Sequence, residues 1–177
     1  MESMLSRRAT VVGRLMGKPL LIGLVGLTLS AGASNAQTTG QGTFVAGAGA
    51  YSNGFSSGRV LQIGGGGEAL VQNRFGIGGE LGLAGGGGDA WAAVSLNGSL
   101  HFPKPGTTKG AVPFVSGGYT RMGFFTEYGG SNALNVGGGV TYWFSGRKGL
   151  VTEFREVVYQ ALGTDQHWAL RIGIAFR

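Results

Sequence analysis

His167-Trp168-Ala169-Leu170-Arg171-Ile172-Gly173-Ile174-Ala175-Phe176 decides the fold. Trp168, Leu170, Ile172, Ile174 and Phe176 fall on one parity, and His167, Ala169, Arg171, Gly173 and Ala175 on the other. Side chains of a β-strand alternate between two faces, so this stretch predicts a strand with one large apolar face and one face of small or polar groups. Outward from it, the same alternation returns seven times. Phe75, Ile77, Leu81 and Leu83 stand against Arg74, Gly76, Gly78 and Glu80. Leu61, Ile63, Ala69 and Val71 oppose Gln62 and Glu68, and Val94, Leu96, Leu100 and Phe102 oppose Ser95, Asn97, Ser99 and His101. Leu134, Val136, Val140, Tyr142 and Phe144 oppose Asn135 and Thr141.

Eight segments result: Thr43–Gly54, Gly58–Val71, Arg74–Gly86, Ala90–Phe102, Ala111–Phe125, Asn132–Phe144, Gly149–Gln160 and Gln166–Arg177. Turn chemistry separates them, at Gln72-Asn73, Pro103–Gly110 and Ser145–Lys148 among others. A tilted strand needs ~9–11 residues to cross a bilayer, and the segments are long enough. Alternation alone does not separate a soluble sandwich from a membrane barrel. The polar face here is mostly Gly, Ala and Ser, as a narrow interior requires, and its few charges include both signs. Aromatics stand at segment ends, at Phe75, Trp91, Phe102, Phe144, Trp168 and Phe176, in the manner of an interfacial girdle. The expected fold class is therefore all-β: an eight-stranded antiparallel up-and-down transmembrane β-barrel. Its connections near residues 55, 87, 128 and 163 are short and face outside if the N-terminus is periplasmic.

The chain ahead of the barrel reads differently. Met1 to Lys18 is basic, Pro19 to Gly32 is apolar, and Ala33-Ser34-Asn35-Ala36 is small. That order predicts a cleavable secretory signal over residues 1–36, cut between Ala36 and Gln37, and a barrel domain over 37–177. The apolar run is shorter than the ~20 residues of a spanning helix. Ser6-Arg7-Arg8 is read as ordinary charge of the signal's basic region.

Composition agrees. Glycine accounts for 38 of 177 residues and charged residues for only 12%, yet aromatics reach 10%, which favours a folded glycine-tolerant β structure over disorder. Of 14 Lys and Arg, four lie in the first 36 residues, and of 8 Asp and Glu, one does. The remainder, ten against seven, is mildly basic and shows no nucleic-acid patch. Without cysteine there is no disulfide, thiolate metal site or cysteine-linked lipid anchor. Gly64–Gly67 and Gly85–Gly88 open no helix and carry no P-loop lysine, so they predict no phosphate loop. No cofactor is expected, and two distant histidines predict no transition-metal site.

Two segments fit the alternation less well. Glu153 and Arg155 share a face, which turns Glu156 towards lipid unless a β-bulge or an early exit intervenes. Arg121 lies on the face of Val115 and Tyr119, at the expected membrane edge.

From Gln37 to Arg177 the chain resembles the small outer-membrane barrels of the OmpA and OmpX type. The resemblance rests on the alternation, on Val112-Pro113-Phe114-Val115, and on Asn135–Phe144 followed by Gly149–Arg155. Ala169–Arg177, with Trp168 just before it, is similar to the C-terminal signal read by the barrel-assembly machinery, which implies Trp168, Leu170, Ile172, Ile174 and Phe176 as the residues read, although Arg177 rather than an aromatic stands last. The resemblance implies an outer-membrane location. It implies outer-membrane lipid as partner, with the assembly machinery and periplasmic chaperones during biogenesis.

Glu68, Glu80, Glu153, Arg155 and Arg171 all fall on expected interior faces. A charge in a narrow lumen must be paired to offset desolvation, so a buried ion-pair network that plugs the barrel is expected. The alternative is that some of the five are hydrated at the rims. Ser99 and His101 share a face and could suggest a hydrolase, but no third member is evident. His167 beside Asp165 reads as an exposed loop pair. The expected function is a non-catalytic, structural outer-membrane barrel. The rival readings are a narrow porin-like channel, a lipid-modifying enzyme using Ser99 or His101, and a soluble barrel around a small ligand.

Overall fold

The structure is a computed structural model and describes residues 38–52, 56–124, 130–160 and 164–177. The expected signal segment 1–36, its cleavage point at Ala36 and Gln37, and the expected strand ends at Gly54 and Phe125 lie outside the described residues.

Eight strands follow one another: β1 (Thr38–Ser52), β2 (Ser57–Val71), β3 (Phe75–Gly86), β4 (Asp89–His101), β5 (Gly110–Phe124), β6 (Gly130–Trp143), β7 (Lys148–Gln160) and β8 (Thr164–Phe176). Each is antiparallel to the next, and β1 pairs with β8 from Gly42↔Phe176 to Ser52↔Gln166, closing the barrel. Closure leaves no strand edge, which is the condition for a sheet to sit in hydrocarbon. An even strand number puts Thr38 and Phe176 at one end, called here the terminal end. Connections 72–74, 102–109 and 144–147 share it, and 87–88 lies at the opposite, distal end.

The outer surface explains the alternation. Leu61, Leu96, Leu134 and Leu170, on four different strands, are 68%, 62%, 69% and 63% exposed, and isoleucines 63, 77, 172 and 174 stand beside them. A soluble monomer tolerates an apolar patch of only a few hundred Å². A belt around the whole circumference belongs in a bilayer. Strands of 12 to 15 residues span it with turns to spare. Phe75, Phe102, Phe144 and Phe176 ring the terminal end on the outside.

Tight turns join the strands where the sequence placed them. Arg74 N donates to Val71 O at 3.0 Å, with Gln72 and Asn73 between them at φ 53° and 54°. A two-residue hairpin matching the strand twist requires this left-handed pair. Gly87 and Gly88 serve the β3–β4 turn, at φ 64° and 94°. A glutamine in that conformation is strained, so Gln72→Gly should stabilise the barrel by roughly 0.5–1 kcal/mol in reversible urea unfolding. A loss of stability would show that the Gln72 side chain holds the turn.

Three expectations change. β1 begins at Thr38 rather than Thr43, because its glycine-rich start pairs with the end of β2, Thr38↔Val71 through Gly42↔Gly67, without any apolar alternation. Trp91 is not a girdle residue: it shares the parity of Ser95 and Ser99, points inward and is 7% exposed. His167 is not in a loop. It is a buried β8 residue inside the barrel, with Asp165 two positions earlier in the same strand. The β7 ladder runs unbroken from Lys148↔Phe176 to Gln160↔Thr164, so no bulge rescues Glu156, which stays on the outer face opposite Trp168 near the distal end. Arg121 is also on the outer face, where its Nη1 donates to Asn132 Oδ1 at 2.6 Å and Tyr119 Oη donates to the same oxygen.

Candidate functional site

The lumen is filled in three layers. At the distal end Val60, Trp91, Met122, Ala133 and Val157 pack together, backed by Tyr51, Ala84 and Ala93. His167 meets the Trp91 ring edge-on at 6.1 Å. Met122 and Val60 are fully buried, so this layer is a miniature hydrophobic core inside a membrane barrel.

At mid-height four charges meet. Arg155 Nη1 lies 3.0 Å from Glu80 Oε2, and its Nη2 lies 2.7 Å from Glu153 Oε1. Arg171 reaches Glu80 at 2.8 Å and Glu153 at 3.5 Å. Ser116 Oγ donates to Glu153 at 3.4 Å. Strands β3 and β7 lie on opposite walls of an eight-stranded barrel, so the Glu80–Arg155 pair crosses its full diameter. Two cations and two carboxylates balance, and each carboxylate touches both guanidinium groups. That sharing is what makes buried charge tolerable.

Glycine provides the room. A Cβ on Gly137 would stand 2.9 Å from Glu153 Oε1, and one on Gly64 would stand 3.2 Å from Glu80 Oε1. One on Gly76 would collide with Ser99 Oγ and Glu68 Oε2. The interior glycines are thus the complement of the charged side chains.

Glu68 stands apart from the other four sequence-chosen charges, in a third layer towards the terminal end. Its carboxylate accepts from Gln41 Nε2 and, at 2.5 Å, from Ser99 Oγ, and lies 3.1 Å from His101 Nε2. Register explains the separation. Glu80 pairs with Gly66, two positions up the barrel from Glu68. Gln41 lay ahead of the first expected segment, so alternation could not find it.

Ser99, His101 and Glu68 therefore do come together, which sequence spacing did not show. The order is wrong for nucleophilic catalysis. A Ser–His–acid relay needs the serine on one imidazole nitrogen and the acid on the other. Here Ser99 Oγ, at 3.0 Å, and Glu68 Oε1 both face Nε2, and Ser99 bonds the carboxylate directly. The group is also inside the barrel, with the His101 ring stacked on Phe114 at 5.4 Å, away from the lipid-facing surface. No group of His, Cys, Asp and Glu among the described residues is arranged to hold a metal ion.

The spaces left in the lumen measure about 80 Å³ around the two polar layers and about 30 Å³ beneath the distal cluster. A water needs roughly 10–15 Å³, so a few waters fit and a hydrated solute does not.

Closed topology, an apolar belt and a narrow polar interior define the class: a small eight-stranded membrane-spanning β-barrel. The likeness to solved structures bears out the fold expected from the sequence resemblance. The crystal structure of Neisserial surface protein A superposes with a TM-score of 0.65 at 12% identity, over 79% of this chain and 98% of that one. The outer membrane enzyme PagL gives 0.58 at 15% identity, over 76% and 99%. The N-terminal β-barrel domain of Pseudomonas aeruginosa OprF gives 0.54 at 19% identity, over 79% and 100%. At such identities the likeness is one of fold. No protein-family model matches the chain, and no curated protein matches its sequence.

Proposed function

We propose that this chain is a non-catalytic outer-membrane barrel with a structural, envelope-integrity role, its terminal end facing the periplasm. One observation carries the proposal: the Glu80–Arg155 pair crosses the lumen at 3.0 Å, with Arg171 and Glu153 locked to it. The distal apolar cluster supports it by filling the same passage. The interior side chains serve the wall's stability rather than transport. The reversed order of Ser99, Glu68 and His101 argues against hydrolysis. Outer-membrane lipid is the proposed resident partner. Barrel-assembly machinery and periplasmic chaperones are the transient ones, with Trp168 to Phe176 as the segment read.

Purified barrel in planar bilayers tests the proposal. The expected record shows no unitary conductance steps in molar chloride. Reproducible steps would favour the narrow-channel reading. For assembly, deletion of Phe176 should reduce recovery in the outer membrane. Phe176 packs its ring against Phe44 at 5.9 Å where β8 meets β1, so the strand that closes the barrel would lose its anchor. Normal recovery would count against this segment as the assembly signal.

A further inference from the structure

The terminal mouth of the barrel carries chemistry that the lumen does not use. A cavity of about 430 Å³ opens there, between the β2–β3 turn, the β4–β5 loop and the end of β8. Arg74, Lys104, Lys109 and Arg177 line it, and no Asp or Glu does. Arg74, Lys104 and Lys109 are exposed, and none has an ion-pair partner among the described residues. Glu68, the carboxylate towards this end of the lumen, is already bonded to Gln41, Ser99 and His101.

The fourth cation is held in place. Arg177 stands over the Trp143 ring at 4.2 Å from its centroid, with Nε donating to Gly146 O at 3.3 Å and Nη2 to Thr108 O at 3.0 Å. These contacts fix the guanidinium and leave Nη1 for another acceptor. The β4–β5 loop is stiffened as well. Pro103 and Pro105 fix φ on either side of Lys104, and Thr107 bonds back to Lys104 O through Oγ1 at 2.9 Å. Four cations of like sign are thus gathered at one mouth by a braced loop and a pinned arginine. Their mutual repulsion is relieved by an anion of more than one charge.

We propose that this mouth binds a phosphate-bearing anion. Guanidinium forks and lysine ammonium groups together match a phosphate's charge and its several oxygens, and a single carboxylate would leave most of the positive charge unmatched. The volume admits a phosphate with its ester group. The source is a phospholipid headgroup from the neighbouring leaflet or a soluble phosphate ester. The inference is independent of whether the lumen conducts.

Calorimetric titration of the folded barrel in a phosphate-free maltoside detergent tests it, with inorganic pyrophosphate and a short-chain phosphatidylglycerol as probes and citrate as the carboxylate comparison. Saturable binding of either phosphate probe, tighter than citrate, is the expected result. Pyrophosphate alone points to a soluble ester, and the lipid points to a headgroup. Lys104→Glu with Lys109→Glu should weaken binding roughly tenfold or more. Arg59→Glu with Arg121→Glu changes the net charge equally at the opposite end of the barrel, away from the cavity, and should have little effect. A heat-dependent gel shift confirms that both variants fold. No saturable binding, tighter binding of citrate, or equal weakening by both pairs would overturn the site.

Discussion

Replacing Arg171 with alanine should cost the barrel about 3 kcal/mol, the low end of the range for breaking a buried ion pair from one side. Arg171 is 2% exposed and touches both Glu80 and Glu153. Its loss leaves Arg155 alone against two carboxylates, at 3.0 and 2.7 Å, inside a lumen with little water to solvate the excess charge. Arg155 still serves both acids, which keeps the cost from rising further. The measurement is the temperature at which the folded, fast-migrating gel form is lost, and it should fall clearly. Adding Glu80→Gln to Arg171→Ala restores charge balance and should recover part of the loss. An unchanged transition in the single variant would mean that Arg171 is hydrated and unpaired.

A second large effect is expected from valine at Gly137, set against valine at Gly98. Gly137 faces the lumen. Its new Cβ would stand 2.9 Å from Glu153 Oε1, 3.0 Å from Phe154 O and 3.1 Å from Ser116 Oγ. The valine must push Glu153 off Arg155, so overpacking, about 1–3 kcal/mol, is compounded by a broken ion pair. Gly98 faces lipid, with nothing closer than 3.9 Å to a Cβ there. Valine at that position adds apolar surface and strand propensity, and should be neutral or slightly stabilising. Reversible unfolding from lipid vesicles separates the two. Equal costs would mean that the interior glycines are not making room for the charges.

The fold was legible because lipid outside and a narrow lumen inside impose strict two-residue periodicity, which β8 displays almost without exception. The same parity turned Glu80, Glu153, Arg155 and Arg171 inward. It could not say which of them meet, because Glu80 finds Arg155 across the diameter, and 75 residues along the chain. Nor could it separate Glu68, since the offset depends on the β2–β3 register. Trp91 was misplaced even though parity with Ser95 marked it as interior. An aromatic at a segment end suits a girdle equally well, and the apolar core at the distal mouth has no local signal. Trp143 shows the same: between the outward Tyr142 and Phe144 it must point inward, where it supports Arg177. His167 stood at the edge of its expected segment, Gln166–Arg177, and was paired with Asp165 as a loop, whereas β8 starts at Thr164 and holds both.

Fractionation of the expressed protein, followed by gel mobility with and without boiling, tests the lipid-facing barrel most directly. The expected result is recovery in the outer membrane with a heat-dependent mobility shift. Recovery in the soluble periplasm with no shift would contradict the account, because the leucine and isoleucine belt would then have to be covered by something other than lipid.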